Sequence, residues 1–329
     1  MAQAGDHGYD AVIVVSFGGP EGPDDVLPFL ENVTRGRNVP PERLQVVVKQ
    51  YERYGGVSPI NSQNRALVAA LDAELVRAGH SLPVYWGNRS WHPFLADTVR
   101  QMRDDGVERA LAFVTSGYSS YSSCRQYLEN IEAARDLVGP GAPVIDKIRQ
   151  FYDHPGYVGP FSRRLRDALL PDAHIAFTAH SIPIAMADRS DYVAQLGETA
   201  RLVAERGAPD RPYELVFQSR SGAPNQPWLE PDIGAHIDAL AAKGVPAVVV
   251  VPIGFVSDHM EVVHDLDVLA AERARAAGIA FARAATPGTD PEFVAMIREL
   301  IEERLDPARE RRALGALGVR PDVCPGCCL

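Results

Sequence analysis

The sequence predicts an α/β protein made of two similar domains, each with a four-stranded parallel sheet flanked by helices. Short apolar, β-branched runs followed by amphipathic stretches recur along the chain, as expected for βα units around buried parallel sheets. The chain has 329 residues, 46% of them hydrophobic, which suits about two domains of ~150 residues. Four runs in each half are predicted as strands: 11–16, 83–87, 110–116, 143–148, 175–179, 214–219, 247–251 and 279–282.

The intervening segments give helix and boundary signals. Leu67, Leu71 and Leu75 recur at every fourth position and predict a helix with one buried stripe, which Gly79 is expected to end. The Gly-, Pro- and Tyr-rich segment 154–159 is where we expect the chain to pass between domains. The predicted organisation is an N-terminal domain, 1–155, a C-terminal domain, 156–310, and a cysteine tail, 311–329.

Charge and hydropathy exclude several classes of protein. The net charge is −10 and the isoelectric point about 5.4, so the overall field repels nucleic acids and anionic membranes. The start of the chain lacks a basic region, and no apolar stretch approaches the ~20 residues of a membrane span. We expect a cytoplasmic protein that binds no nucleic acid and makes no stable membrane insertion.

Two strand ends carry chemically unusual residues, and ligands of open parallel sheets bind beyond the carboxyl ends of strands. His180 follows the fifth predicted strand and could be a proton acceptor or a metal ligand, or a structural histidine that caps the next turn. Beyond the seventh strand, Ser257 or Asp258 resembles a helix N-cap. Glu261 and Asp265 would then share one helix face, as a cation or proton site or as an ordinary acidic surface.

Two loops in the first half are less specific. Phe17 precedes a Gly-Gly-Pro turn after the first strand, which lacks the spacing of a phosphate loop. A loop rich in Tyr and Ser, with Tyr121 and Cys124, follows the third strand. It could bind carboxylates or be a plain turn.

Together, these segments resemble the ferrochelatase family. AHSIP (179–183), FQSRSGAPNQPWLEPD (217–232) and PIGFVSDHMEVVHDLD (252–267) match its three signature segments in family order, and FGGP (17–20) and YGGVSPIN (54–61) also fit. The resemblance covers essentially the whole chain. It implies two Rossmann-like domains without a nucleotide site, the class II chelatase architecture, and a lyase that inserts Fe²⁺ into a porphyrin in heme biosynthesis.

The resemblance also implies roles for the residues at the strand ends. His180 would be the principal base and contact the Fe²⁺ substrate, Glu261 would accept a proton and contact the metal, and Asp265 would lie behind it. Leu269 stands where some relatives carry a further carboxylate. The predicted porphyrin contacts are Phe17, Tyr51, Arg53, Ser58, Tyr121 and Tyr127, with Arg35 and Arg37 as further propionate partners.

The cysteines suggest a cofactor. Cys124, Cys324, Cys327 and Cys328 resemble the set that holds a [2Fe-2S] cluster in actinobacterial and animal ferrochelatases, with zinc or unligated thiols as alternatives. The actinobacterial type implies coproporphyrin III as substrate and coproheme as product, with protoporphyrin IX as the alternative. Neighbouring heme-pathway enzymes are the expected partners.

Other functions remain compatible with the sequence. A chelatase for cobalt or nickel would share the histidine and carboxylate, although it would not explain the FQSRSGAPNQPWLEPD segment. A non-enzymatic carrier of a tetrapyrrole or ferrous iron would bind without turnover. A redox-sensing role of the cysteine tail could be added to any of these.

Overall fold

The computed structural model describes residues 8–36, 39–222 and 225–323. It confirms two four-stranded parallel sheets flanked by helices. The strands are β1 Ala11–Ser16, β2 Val84–Asn88, β3 Arg109–Val114, β4 Val144–Lys147, β5 Ala173–His180, β6 Tyr213–Gln218, β7 Ala247–Val251 and β8 Ala280–Arg283. The α-helices are α1 Pro23–Val33, α2 Pro41–Glu52, α3 Ile60–Arg77, α4 Leu95–Asp104, α5 Gln126–Val138, α6 Pro155–Ala168, α7 Ile184–Ala187, α8 Tyr192–Gly207, α9 Ile233–Ala242, α10 Met260–Val262, α11 Ala271–Ala276 and α12 Pro291–Leu305.

The first sheet has the order β2-β1-β3-β4. Every residue of β1 is buried, because helices cover both faces of a parallel sheet. The leucine stripe of α3 is confirmed, since Leu67, Leu71 and Leu75 are all buried. Gly79 ends that helix in the left-handed region at φ 87°, and the His80 amide closes the turn onto the Leu75 carbonyl at 2.9 Å.

The second sheet has the order β6-β5-β7-β8. Its central strands are apolar and buried, and Ala176, Val216 and Val248 form a core with α9. The parallel register pairs His180 of β5 with Gln218 of β6, so both side chains stand at the carboxyl end of the sheet. Strand β5 extends one residue beyond its predicted end and includes His180.

The chain divides into two compact units that differ from simple halves. The first unit contains the described residues up to Thr115 together with Gln126–Ile148 and Ile297–Arg311. The second contains Ser116–Arg125, Arg149–Met296 and the described residues from Arg312 onward. The segment expected to link the domains begins α6, where His154 caps the helix by accepting from the Gly156 amide at 3.1 Å. The predicted boundaries at 155/156 and 310/311 stay predictions.

The described part of the tail, 312–323, lies against the second unit. The Arg149 guanidinium donates to the Arg312 carbonyl at 3.0 Å, and the Leu314 amide donates to the Asp153 carbonyl at 2.9 Å. Further along, Arg320 pairs with Asp191 at 2.8 Å. Within the described ranges, no helix has the length and apolar character to cross a membrane.

Candidate active site

His180 is held by its strand and by one backbone hydrogen bond. Its Nδ1 lies 2.5 Å from the Ser181 carbonyl oxygen, which can only accept, so Nδ1 carries a proton. The other nitrogen, Nε2, faces the carboxylate of Glu261 at 3.6 Å. The Tyr192 hydroxyl donates to the His180 carbonyl at 3.0 Å and fixes the backbone at this point.

This tautomer decides the chemistry of the pair. A neutral His180 presents a lone pair on Nε2 toward a carboxylate, so two acceptors face each other. The arrangement is favourable only when a proton or a metal cation lies at Nε2. Burial tends to lower the pKa of His180, but the charge of Glu261 and its hydrogen bond outweigh burial and raise that pKa.

Glu261 is positioned by groups that the sequence did not reveal. The helix begins at Met260, and its N-cap is His259, whose Nδ1 accepts from the Glu261 amide at 3.2 Å. The predicted caps, Ser257 and Asp258, were therefore wrong; the Asp258 carboxylate instead binds Arg283 at 3.2 Å. A second constraint comes from β6, where the amide of Gln218 donates to the Glu261 carbonyl at 2.8 Å.

Asp265 lies on a π-helix, Val263–Ala270, that directly follows α10. We had expected one regular α-helical face for Glu261 and Asp265, and the wider turn corrects that expectation; such insertions occur frequently at functional sites. The Ser219 hydroxyl donates to Asp265. Ser219 itself follows β6 in the left-handed region at φ 62°, which is costly for a non-glycine residue.

The carboxylates and histidines of this site differ in proton affinity. Burial opposes ionisation of Glu261, but the neighbouring His180 lowers the pKa of Glu261 to about 2. Burial is the main cause that raises the pKa of Asp265 to about 6, with a further contribution from the Glu261 charge. Burial also lowers the pKa of His259. Near neutral pH the site holds one fixed charge, one readily protonated imidazole and a carboxylate that can exchange protons.

An open groove of about 870 Å³ adjoins this site in the second unit. Gln218, Ser219 and Asp265 line one part of it, and Asp238 and Arg273 line another. Leu269 also lines the groove, with 49% of its surface exposed. Asp265 is therefore a carboxylate of the candidate site that borders this groove.

Three of the predicted porphyrin contacts belong to one aromatic cluster in the first unit. The ring of Phe29 packs edge-on against Phe17 and against Tyr51, each at 6.2 Å between centroids. The guanidinium of Arg89 lies 5.5 Å from the Phe17 ring centre and 4.9 Å from that of Tyr127. Sequence reasoning missed Arg89, which no motif distinguished from other arginines.

The remaining predicted contacts are more dispersed. Ser58 is buried in the first unit, whereas Arg53 and Arg35 are exposed there. Tyr121 is 38% exposed and begins a π-helix, Tyr121–Arg125, of the second unit. Arg37 lies outside the described residues.

Cys124 lies on the same π-helix and is fully buried. Its Sγ is 2.9 Å from the Nε2 of Gln150, which can donate to a thiolate. Cys324, Cys327 and Cys328 lie outside the described residues, so the structure places one of the four predicted cluster ligands.

Comparison with solved structures supports the same architecture. Two structures of the chelatase SirB from Bacillus subtilis resemble this chain at 12% identity. The one with Fe³⁺ has a TM-score of 0.57 and matches 90% of this chain and 95% of that one. CbiX, described as the terminal enzyme of siroheme biosynthesis in denitrifying bacteria, has a TM-score of 0.50 over 91% of this chain and 100% of that one, at 16% identity. At such identities the likeness shows the class II chelatase fold.

Sequence relatives are much more similar. A ferrochelatase from Rhodopirellula baltica is 54% identical, over 98% of this chain and 93% of the relative. Proteins named coproporphyrin III ferrochelatase from Streptomyces coelicolor and Mycolicibacterium smegmatis are each 51% identical, over 97% and 96% of this chain and 93% and 94% of their own lengths. A family model described as Ferrochelatase matches residues 9–305. The chain belongs to the ferrochelatase family.

Proposed function

We propose that this protein is a cytoplasmic coproporphyrin III ferrochelatase, which inserts Fe²⁺ into coproporphyrin III to form coproheme. The observation that carries the proposal is the Nε2 lone pair of His180 facing the ionised Glu261 at 3.6 Å. That geometry attracts a proton or a borderline cation, the two species that metallation exchanges at the porphyrin centre. The names of the similar actinobacterial proteins support coproporphyrin III as substrate.

The reaction replaces two pyrrole protons by one Fe²⁺, so charge balances when two protons leave. His180 accepts a pyrrole proton at Nε2 while its Nδ1 proton stays on the Ser181 carbonyl. The resemblance implies that Glu261 accepts a proton, but with a pKa of about 2 it stays ionised in this proposal and stabilises the imidazolium and the incoming cation. Asp265, with a pKa of about 6, takes protons onward to the groove.

We further propose that the aromatic cluster of the first unit binds the substrate. Phe17 offers an apolar ring for one porphyrin face, and Tyr51 and Tyr127 supply hydroxyls for propionates. Coproporphyrin III carries more propionates than protoporphyrin IX, so it requires more cationic partners. Arg53 and Arg35, both exposed, are the proposed partners.

The cysteines are proposed to bind a [2Fe-2S] cluster. Two observations support this: Cys124 is buried beside an amide donor, and the tail is attached to the second unit at Arg320, four residues before Cys324 in sequence. Asp191, the partner of Arg320, precedes Tyr192, whose ring packs at 6.1 Å against Tyr118 in the loop leading to Cys124. When bound, the cluster would supply a redox-active centre that fastens the tail.

The cluster is tested by metal content and spectroscopy of protein purified without oxygen. As purified, before any Fe²⁺ substrate is added, Cys124→Ser should lack the bound iron of the wild type and the EPR signal of the reduced cluster. The neighbouring Ser122→Ala should keep both. Stoichiometric zinc in place of iron would contradict the cluster and support a zinc site.

The enzymatic proposal is tested by anaerobic turnover with Fe²⁺ and either coproporphyrin III or protoporphyrin IX. His180→Ala and Glu261→Ala should each lower kcat at least ~100-fold, because the first removes the proton acceptor and the second removes the charge that stabilises the imidazolium. His80→Ala is the matched control, because His80 also pairs with a glutamate, Glu302 at 3.0 Å, but belongs to the first unit. Its kcat should stay close to that of the wild type. Porphyrin binding without metallation by the wild type would support a carrier instead. Faster turnover of protoporphyrin IX would overturn the substrate assignment.

A further inference from the structure

A second group of metal-ligating side chains lies at the opposite end of the second sheet from His180. His174 is near the start of β5, Glu214 is near the start of β6, and His236 is in the first turns of α9. Because alternate strand residues share a face, His174 and His180 lie on the same face of β5, about 20 Å apart along the strand. Ala176, which lies between them, contributes to the core with α9.

The three side chains converge on one point. One nitrogen of each histidine and one carboxylate oxygen of Glu214 all lie within 4.8 Å of one another. The His236 Nδ1 is 3.5 Å from Glu214 Oε2, and the two imidazole centroids are 5.1 Å apart. Ligands of a first-row metal lie about 2.0–2.2 Å from the ion, so two of them are at most ~4.4 Å apart. A small rotation of the half-exposed Glu214 and of the rings would close the site.

The protein makes little other use of His236. It is 5% exposed, its Nε2 has no hydrogen-bond partner among the described residues, and its Nδ1 is too far from Glu214 for a good hydrogen bond. A buried polar group without a partner destabilises the fold, so a ligand that binds it is favoured. The Nδ1 of His174 is likewise buried without a hydrogen bond in the described ranges.

Both histidines are in the protonation state that metals require. Burial lowers the pKa of His174, and the neighbouring His236 lowers it further. Burial also lowers the pKa of His236, although the Glu214 charge acts in the opposite direction. Near neutral pH the imidazoles are therefore uncharged and retain lone pairs. Lys243 is the cation that acts on both rings and would oppose an incoming metal.

We propose that His174, Glu214 and His236 form a second cation site, separate from the catalytic one, that binds a borderline divalent metal such as Zn²⁺ or Fe²⁺. Two imidazoles and one carboxylate are the ligand set of many zinc and non-heme iron sites, and they do not suit Mg²⁺ or Ca²⁺. The bound ion would join β5, β6 and α9 through one nitrogen of each histidine and one carboxylate oxygen of Glu214. The inference does not depend on the proposed function, because none of these residues takes part in metallation.

The test uses full-length protein with His180→Ala in every sample, so that the catalytic histidine does not contribute. Metal is removed by chelation, and Zn²⁺ alone or Co²⁺ alone is added back in equilibrium dialysis. Glu214→Gln should bind one equivalent fewer at micromolar metal, or bind it at least ~100-fold more weakly, since even loss of an outer partner of a ligand costs 10–100-fold. The Co²⁺ form should lose the visible d–d bands of a nitrogen and oxygen site.

Controls make the outcome decisive. Glu214 is 51% exposed, so its replacement should fold normally; His236→Gln is a second test of the buried ligand, with circular dichroism to verify folding. Glu132→Gln, another exposed glutamate, should bind metal unchanged. Lys243→Gln should tighten the site, because it removes the opposing charge. Equal metal stoichiometry and affinity in the Glu214→Gln, Lys243→Gln and parent proteins would overturn the proposal and identify the histidines as packing residues.

Discussion

At the scale of single residues, the candidate site places two acceptors, His180 Nε2 and the Glu261 carboxylate, face to face. His180 cannot turn its protonated nitrogen toward Glu261, because the Ser181 carbonyl holds that nitrogen at 2.5 Å. The facing pair at 3.6 Å therefore favours a proton or a metal cation at Nε2. Both residue types could be predicted from their motifs, whereas this tautomer could not, because it depends on a backbone carbonyl.

Replacing Glu261 should lower the pKa of His180. The carboxylate charge is what overcomes burial, so Glu261→Gln leaves burial as the dominant influence and the imidazole loses its proton at lower pH. The measurement is an NMR titration of the His180 ring, which requires no turnover. Asp265→Asn should act in the same direction but less, because Asp265 makes a smaller contribution. An unchanged or higher pKa in Glu261→Gln would contradict the assigned pairing.

Asp265 should reduce stability at the pH where the enzyme works. Its folded pKa of about 6 exceeds the ordinary value of 3.8, so the folded state binds the proton more tightly than the unfolded state does. The associated stabilisation is present below pH ~4 and is lost as pH rises through about 6. Asp265→Asn should therefore be more stable than wild type at pH 8, by at most about 3 kcal/mol. Melting temperatures at pH 5 and pH 8 test this, and a gain that does not grow with pH would refute it.

At the scale of elements, strand ends were predictable and helix details were not. Apolar β-branched runs identified all eight strands to within two residues at each end, and the rule that ligands bind at carboxyl ends led to His180. The N-cap at His259 was missed because histidine is an uncommon cap compared with Ser or Asp. The π-helix that carries Asp265 was missed because sequence periodicity does not reveal one extra residue per turn.

The left-handed backbone at Ser219 should make a glycine substitution more stable than an alanine substitution. Residues with a Cβ are disfavoured at φ 62° by ~1–2 kcal/mol, whereas glycine is not. Both Ser219→Gly and Ser219→Ala lose the hydrogen bond to Asp265 and should raise the Asp265 pKa further. Only the alanine variant retains the backbone cost, so its melting temperature should be the lower of the two. Equal melting temperatures would mean that this conformation is not maintained in solution.

At the scale of the whole molecule, the predicted domain boundaries stay predictions, and the compact units are not contiguous in sequence. Sequence order favoured contiguous halves, yet Ile297–Arg311 belongs to the first unit. Ion pairs between distant segments contribute to this: Arg298 binds Glu74 at 2.8 Å, and Glu302 binds His80 at 3.0 Å. Such partners are over two hundred residues apart, a separation that local patterns cannot encode.

The segment Ile297–Arg311 should therefore contribute strongly to the stability of the first unit. Arg298 is 16% exposed, and each of its carboxylate partners, Glu74 and Glu302, is 12% exposed. Removing one member of a buried ion pair leaves an uncompensated charge and costs ~3–5 kcal/mol. Because Arg77 and Arg309 still pair with these carboxylates, we expect Arg298→Met to cost about 2–3 kcal/mol, read as a lower melting temperature.

Two measurements separate the lost charge of Arg298 from the lost packing of its side chain: the pH dependence of the stability of Arg298→Met, and the same substitution at Arg77. Arg298 contributes to the lowered pKa of both Glu74 and Glu302, although burial opposes ionisation of each. Without Arg298 these pKa values rise, so protonation below pH ~5 should relieve the unpaired charge and narrow the stability gap to wild type. Arg77→Met removes a 70% exposed partner of the same Glu74 and should cost less than ~1 kcal/mol. A gap that is constant from pH 4.5 to 8 would assign the role of Arg298 to packing of its aliphatic stem instead.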